Sequence, residues 1–400
     1  MGKLKTFGIN VHELVFRPPI HALCRVRQNV KKYIPGIITM ENAPIQIAGP
    51  CSAESAEQVL KAAAGLASSG LDYFRAGIWK PRTKPGAFEG VGNTGLPWLQ
   101  EVQRLHGMNV CTEVANVRHV EAALKAGIDM LWIGARTTAN PFQIQEISDA
   151  LRGVQVPVAV KNPTQPDLAL WSGAVERLQN AGVQELMAIH RGFTVHGQKK
   201  YRNVPLWQIP IDFRNEHPDI PLLNDPSHIT GRRDMIPEVA QMAADLGFDG
   251  FMIEVHPDPD VAWTDAAQQI TPERYNVLLQ QLVFRSTSKS ENLADLSSLR
   301  SEIDMIDESL VELLVRRMGV SREIGKYKGE HGITILQNAR WTHILKQNIG
   351  LGQEQGLSPD FIKEIYKAIH QASILTQRKA IEESQSRSSS PRIEGGEANT

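Results

Sequence analysis

Residues 130–136 read MLWIGAR, four apolar residues followed by Gly-Ala and an arginine. The same unit, a short apolar or β-branched run ending in a polar cluster, recurs about every thirty residues. Upstream it appears as IQIAGPCS (45–52), YFRAGIWKPRT (73–83) and NVCTE (109–113). Downstream it appears as VPVAVKN (156–162), ELMAIHRG (185–192), PLLNDPSH (221–228) and GFMIEVHP (250–257). Helix-like stretches lie between them, among them AEQVLKAAAGLASSG (56–70), VEAALKAGID (120–129) and MIPEVAQMAADLGFD (235–249). Eight strands alternating with helices over about 240 residues predict a (β/α)8 barrel, of class α/β. Near-continuous apolar runs suit parallel strands covered on both faces. An open, doubly wound sheet is the competing arrangement.

Cys51, Arg75, Lys80, Glu113, Arg136, Lys161, His190, Arg191, His228 and Glu254 all fall at or just beyond the C-terminal ends of these runs. In a barrel that rim is where active sites are assembled. Polar or ionisable groups delivered by strand after strand to one rim do not read as packing.

The whole chain has 400 residues, too many for one domain of usual size. Its 42% hydrophobic and 22% charged residues exclude wholesale disorder. Lys and Arg number 43 against 44 Asp and Glu, a formal net charge of -1 that argues against a nucleic-acid coat or a protein held on membranes by bulk charge. Any anion site is therefore local. Three scattered cysteines, Cys24, Cys51 and Cys111, do not make a disulfide framework and point to a reducing compartment. The first residues lack the apolar core of a signal peptide, and no later run is long enough to span a bilayer. Met1-Gly2 with Thr6 fits the short myristoylation pattern, which arises readily by chance, and Gly2 is read as an ordinary residue. A cytoplasmic protein is the expectation.

Residues 285–292, RSTSKSEN, read as a linker, and the Ser/Gly/Glu-rich residues 382–400 as a disordered tail. The expected domains are an N-terminal extension (1–44), the barrel (45–284) and a helical module (293–381).

Cys51, His228, Glu254 and Asp265 have metal-ligand chemistry. Asp265 follows Glu254 by eleven residues in EVHPDPDVAWTD, so the loop after the last strand can return it to the rim. A thiolate, an imidazole and two carboxylates suit a divalent first-row ion, Mn²⁺ first, then Fe²⁺, Co²⁺ or Zn²⁺. Each has a blander reading: a buried small apolar residue for Cys51, a structural cap for His228, a helix N-cap for Asp265. Arg75, Lys80, Arg82, Arg136, Lys161 and Arg191 form a second set. Lys and Arg usually mark a solvated face, but six cations around one mouth repel unless anions compensate them, and they imply a substrate with phosphates and a carboxylate.

Taken in order, AGPCS (48–52), KPRTKPGAFEG (80–90), IGAR (133–136), HRG (190–192), NDPSH (224–228), GRRD (231–234) and EVHPDPD (254–260) resemble the metal-dependent type I 3-deoxy-D-arabino-heptulosonate 7-phosphate (DAHP) synthases, in the branch close to 3-deoxy-manno-octulosonate 8-phosphate synthase. The resemblance covers about residues 45–284. It implies a barrel that condenses phosphoenolpyruvate with erythrose 4-phosphate and releases phosphate. It implies Cys51, His228, Glu254 and Asp265 as metal ligands. The substrate residues implied are Arg75, Lys80, Glu113, Arg136, Lys161 and Arg191, with Arg82 and Thr83 meeting the aldose phosphate. Lys80 and His228 are the candidates for proton transfer. KPRT favours the four-carbon sugar. The chain departs from the family at Lys84, where many members have Ser, and at Asn162, where a second cation is usual.

From Leu296 the apolar spacing Leu296, Leu299, Ile303, Ile306, Leu310, Leu313, Val320, Ile324 predicts a long helix with a buried stripe. Arg317 and Lys328 fall on that stripe, and burying an unpaired cation costs several kcal/mol. A last helix carries Ile362, Tyr366 and Ile369 on to Ser373 and Gln377. The spacing resembles the all-helical chorismate mutases from Leu296 to about Gln377. The resemblance implies Arg300, Arg317, Lys328, Arg340, Ser373 and Gln377 around chorismate, with Lys328 and Gln377 as the catalytic pair at the ether oxygen. It also implies an intertwined homodimer in which Arg300 crosses from the partner. Gln337 and Trp341 depart from the family, which often has acidic residues there, near the substrate hydroxyl.

The two resemblances predict a bifunctional enzyme of aromatic amino acid biosynthesis. The second reading keeps the synthase but makes the helical module a chorismate- or prephenate-binding sensor and dimeriser. The 44 residues before the first strand are too few for a separate ferredoxin-like regulatory domain, so feedback inhibition by prephenate is expected to act through the helical module.

Overall fold

The computed structural model describes residues 43–81, 86–197, 199–285 and 293–388, with side chains described from 296 to 385 in the last span. Arg82, Thr83 and Lys84, residues 1–42, and residues 286–292 and 389–400 lie outside the described residues. The chain divides into two compact units that part between Thr287 and Ser288.

The first unit alternates strand and helix: β1 (Ile45–Gly49), α1 (Ala56–Leu66), β2 (Tyr73–Arg75), α2 (Leu96–His106), β3 (Val110–Val114), α3 (Val117–Lys125) and β4 (Met130–Ile133). It continues through α4 (Ala135–Thr138), α5 (Pro141–Ala150), β5 (Val158–Lys161), α6 (Leu168–Asn180), β6 (Leu186–His190), α7 (Gln208–Glu216) and β7 (Leu222–Asn224). The unit ends with α8 (Pro226–Thr230), α9 (Ile236–Asp245), β8 (Gly250–Glu254) and α10 (Pro272–Gln281). Each strand pairs in parallel with the next, and β1 pairs with β8 to close an eight-stranded barrel. The expected fold is the observed one, and the open sheet is excluded.

The helix starts follow local chemistry. Side chains of Ser55, Asn116, Asn140, Asp167 and Thr271 accept backbone N–H bonds at the starts of α1, α3, α5, α6 and α10, groups that have no partner inside the helix.

The barrel interior is a core of its own: Ile45, Ile47, Tyr73, Cys111, Met130, Trp132, Ala159, Met187, Ile189, Leu223 and Met252. A second, larger core fills the space between strands and helices, with Phe74, Leu131, Val158, Ala188 and Phe251 turned outward onto it. Truncating a fully buried residue such as Ile47 to Ala in such a core costs about 2–5 kcal/mol.

The second unit is α11 (Leu293–Glu330), α12 (Asn338–Glu354) and α13 (Pro359–Ser388). Helix α13 runs past Glu382, where the disordered tail was expected to begin. An ion pair between Arg378 and Glu382, one turn apart, and the Ser384 hydroxyl bonded to the Ala380 carbonyl carry the helix onward. Small residues let α11 and α13 approach closely: a Cβ on Gly325 would lie 2.7 Å from Gln377 Cα, and one on Gly329 would lie 3.2 Å from the Ile381 side chain.

The stripe expected to be buried on α11 is open. Leu299 is 59% and Leu313 61% exposed, and Leu296, Ile303, Ile306, Leu310, Val320 and Ile324 are also exposed. Three helices of one chain bury only part of the circumference of α11, and the uncovered arc is the apolar one. A continuous apolar face of this kind marks an interaction surface. Among the described residues no helix is long and apolar enough to cross a membrane.

Candidate active sites

Successive strand residues alternate faces, so the inward register can be followed up each strand from the barrel core. Tyr73 leads to Arg75, Cys111 to Glu113, Ala159 to Lys161, Ile189 to Arg191, Leu223 to Asp225 and Met252 to Glu254. Ile45 and Ile47 lead through Gly49 to Cys51. The top inward layer is thus ionisable almost throughout, directly above an apolar plug.

Arg75, 1% exposed, lies across this layer. Its Nη2 donates to Glu254 Oε1 at 3.1 Å, and its guanidinium carbon sits 4.9 Å from the centre of the Trp132 ring. Arg75 Nε and Nη1 are buried without a hydrogen-bond partner, an expensive arrangement that an incoming anion would relieve.

Cys51 Sγ lies 3.2 Å from Asp265 Oδ2 and accepts from Lys80 Nζ at 3.0 Å. One ligand atom each of Cys51, Glu254 and Asp265 lies within 4.8 Å of the others. The fourth expected ligand, His228, stands at the edge of that triangle, with Nε2 3.8 Å from Glu254 Oε1. Its Nδ1 lies 2.8 Å from Asp225 Oδ2, off the ideal N–H line. Burial lowers the imidazole pKa, against the opposing pull of Asp225. Burial and the charge of Glu254 push the Cys51 thiol up to about 12. Burial works against the carboxylate of Asp265, yet His228 and Arg202 hold its pKa well below the usual range.

The donors fit a divalent cation: one sulfur, one imidazole nitrogen and two carboxylates in a water-poor rim, with the cations of Lys80, Arg75 and Arg202 beside the anionic positions. The blander readings of two ligands fail. Asp265 begins a short 3-10 turn with φ 51° but makes no side-chain cap. The cap at α8 is Asp225, which accepts the His228 N–H, not His228.

Lys161 Nζ donates to Asp225 Oδ2 at 2.7 Å, and both side chains are buried. Asp225 stays ionised despite its burial because His228 and Lys161 outweigh the desolvation. Arg191 Nη1 donates to Asn203 Oδ1 at 2.8 Å. Burial, with Arg202 and Arg136 nearby, brings its pKa down to about 10, still charged at neutral pH. Burial opposes the charge on Lys80, but Cys51, Glu113 and Glu254 together raise its pKa. Glu113 packs over Gly134, where an added Cβ would lie 2.0 Å from Glu113 Oε1. Gly77 is as constrained: its Cβ would meet Cys51 O at 2.6 Å and Lys80 Cε at 2.9 Å.

Some expectations are corrected. Of the six cations, Arg136 is exposed on α4, just beyond the end of β4, and Arg82 lies outside the described residues. The chain's own Glu254 and Asp225 already compensate Arg75 and Lys161, so repulsion alone does not require a ligand for those two. His190 has the outward register. It packs beside Trp207 and Phe248, with Nε2 2.7 Å from the Pro205 carbonyl, and burial lowers its pKa to about 3. It is a core histidine.

Residues not anticipated complete the site. Arg202 binds Asp265 Oδ1 at 2.8 Å and also Gln268, whose Nε2 donates to Glu254 Oε2 at 2.6 Å. Asn203 Nδ2 donates to the His228 carbonyl at 2.6 Å. Asp225 shares the register of the other inward residues, a signal the sequence did carry. Arg202 and Gln268 come from aperiodic loops and carried none.

In the helical unit, Arg317 Nη1 donates to Ser373 Oγ at 2.6 Å, and Lys328 Nζ to the Ile335 carbonyl at 2.6 Å. Gln377, one turn beyond Ser373 on α13, has its Oε1 buried and unpaired. Arg340 and Arg300 are exposed, Arg300 on the same helix as the open apolar stripe. Arg317 thus meets Ser373 between α11 and α13, with Gln377 one turn further along α13, while Lys328 reaches the turn before α12 and Arg300 is exposed.

Residues 26–287 match the DAHP synthetase I family, and residues 299–378 match chorismate mutase type II. A phospho-2-dehydro-3-deoxyheptonate aldolase of Thermotoga maritima is 30% identical over 236 residues, covering 59% of this chain and 68% of that protein. A 2-dehydro-3-deoxyphosphooctonate aldolase of Dechloromonas aromatica is 27% identical over 257 residues, covering 59% of this chain and 89% of the relative. The crystal structure of the Thermotoga maritima DAHP synthase superposes with a TM-score of 0.53 at 30% identity, covering 60% of this chain and 68% of that one. Both halves of the sequence reading thus match family models of the expected kind, and the chain belongs to the DAHP synthetase I family, its barrel followed by a chorismate mutase type II domain.

Proposed function

We propose that the barrel condenses phosphoenolpyruvate with erythrose 4-phosphate and that the helical unit rearranges chorismate to prephenate. The observation that carries the first half is the top inward layer, where Arg75, Lys161 and Arg191 stand beside the Cys51–Glu254–Asp265 triangle. The cations hold the phosphate and carboxylate of phosphoenolpyruvate, with Lys80, Glu113 and Arg136 at the edge and Arg82 and Thr83 toward the sugar phosphate. Cys51, His228, Glu254 and Asp265 would hold a divalent cation, Mn²⁺ first, which would supply electrophilic assistance at the aldehyde oxygen. C3 of phosphoenolpyruvate attacks the aldehyde carbon, water adds at C2, and phosphate leaves. Lys80 and His228 are the candidates for proton transfer.

In the helical unit Arg317, Arg340 and Arg300 hold the two carboxylates, with Ser373 beside Arg317, while Lys328 and Gln377 donate to the ether oxygen as its bond to carbon breaks. That rearrangement needs a held conformation and charge stabilisation, with no acid or base. The open stripe of α11 supports a homodimer, which would bring Arg300 of one copy to the other's site. A cytoplasmic location suits free, buried Cys51 and Cys111. The second reading, a sensor without turnover, is favoured only if chorismate binds the full chain and is not converted.

The test is DAHP formation by the full chain with and without chelator, followed by add-back of each metal. Cys51→Ser is expected to lose most synthase activity and metal affinity while chorismate turnover stays near normal. Undiminished, chelator-sensitive synthesis in that variant would remove Cys51 from the ligand set.

Feedback belongs to the same reading. Prephenate bound at Arg317 and Lys328 is expected to inhibit the barrel, with a coupling of about 1–3 kcal/mol that is reciprocal in binding. Synthase rates titrated with prephenate, in the parent chain and in Arg317→Ala, check it. Inhibition unchanged in Arg317→Ala would place the effector elsewhere.

A further inference from the structure

The His370 imidazole on α13 lies flat on the Trp341 indole of α12, with ring centres 4.0 Å apart and planes 5° from parallel. Both residues are half-buried. His370, Ser373 and Gln377 are spaced i, i+3, i+7 along α13, so they share one face of that helix. Ser373 accepts from Arg317, and the Arg317 charge reaches His370, where it adds to burial in lowering the imidazole pKa. The stacked pair is thus continuous with the cluster of Arg317, Ser373 and Gln377, and it fixes the orientation of a ring that could otherwise rotate.

The polar groups of this cluster divide by chemistry. Guanidinium and ammonium groups match carboxylates. An amide and an ammonium match an ether oxygen. Chorismate and prephenate each carry one further polar group, a neutral ring hydroxyl, and a neutral imidazole offers one donor and one acceptor to match it. The His370 ring, held flat on Trp341, offers such a donor and acceptor one turn from Ser373 on that face.

We propose that His370 binds the ring hydroxyl of the chorismate mutase ligand and that Trp341 is its positioning residue. This rests on the mutase reading and adds to it a residue that sets specificity. The experiment uses the full chain and two probes, each compared with its analogue lacking the ring hydroxyl: chorismate for turnover and prephenate for equilibrium binding. The parent chain is expected to prefer each hydroxylated ligand by about tenfold, the worth of one exposed-edge hydrogen bond. His370→Ala is expected to lose that preference, weakening the hydroxylated ligand while leaving the analogue nearly unchanged. His370→Gln, which keeps a donor and an acceptor, is expected to recover part of it. Trp341→Phe, which keeps a stacking face, is expected to retain more of the preference than Trp341→Ala. A tenfold preference that survives in His370→Ala overturns the assignment. Equal losses on both ligands in that variant also overturn it, since they mean a structural role. A parent chain that neither binds nor converts the hydroxylated ligands overturns the mutase reading and this proposal with it.

Discussion

Asp225→Ala is expected to destabilise the barrel by about 3–5 kcal/mol, because it leaves Lys161 buried without its carboxylate and removes the charge that faces His228. It also removes the acceptor that starts α8. Asp225→Asn separates the effects. The amide oxygen can still accept the His228 N–H, so the cap is expected to return while Lys161 stays without its carboxylate. The charge does not return, and DAHP formation is expected to stay about 10- to 100-fold down, as when an oriented partner behind a ligand is lost. Urea unfolding of the barrel and synthase assays read the two effects, and chorismate turnover serves as the internal control. An Asn variant with full synthase activity would show that the carboxylate does not orient His228.

Arg317→Ala and Lys328→Ala are each expected to cost chorismate turnover about 10²–10³-fold, the effect of removing one preorganised donor from a developing negative charge. Arg317 is already aimed by its bond to Ser373, and Lys328 by its bond to the Ile335 carbonyl. Little reorganisation is left for the substrate to drive, so the loss is expected in the rate more than in binding. DAHP formation in the absence of prephenate is the comparison. If Lys328→Ala kept most of its turnover, its assignment to the ether oxygen would be wrong.

The barrel was legible because its strands are short apolar runs that each end in chemistry, and that pattern reflects burial on two faces below an active rim. Cys51 and Glu254 were legible as candidate ligands because their residue types are unusual at strand ends, and Asp265 because the loop after the last strand can return a carboxylate to the rim. His190 was misplaced for a simple reason: being at the rim says nothing about register, and one residue separates the axis-facing Arg191 from the helix-facing His190. Arg202 and Gln268 were invisible because loop conformation, with no period to follow, brings them to Asp265 and Glu254. The stripe of α11 was correctly seen as apolar, and within a single chain it is exposed, since periodicity tells which residues seek burial and not which chain provides it.

The pairing of β1 with β8 sets Gly49 opposite Glu254, so the first and last strands of the barrel meet beside Cys51. During synthesis these parts of one site are separated in time. Glu254 is added roughly two hundred residues after Cys51, on the order of 10–40 s at ordinary rates of elongation. Until β8 arrives, Cys51 is an accessible thiol with an ordinary pKa of about 8.5, open to oxidation as its thiolate. Closure buries it and, with Glu254 beside it, pushes that value up to about 12. The growing chain is therefore vulnerable to oxidants at one of its own site residues, and completing the last strand ends that vulnerability.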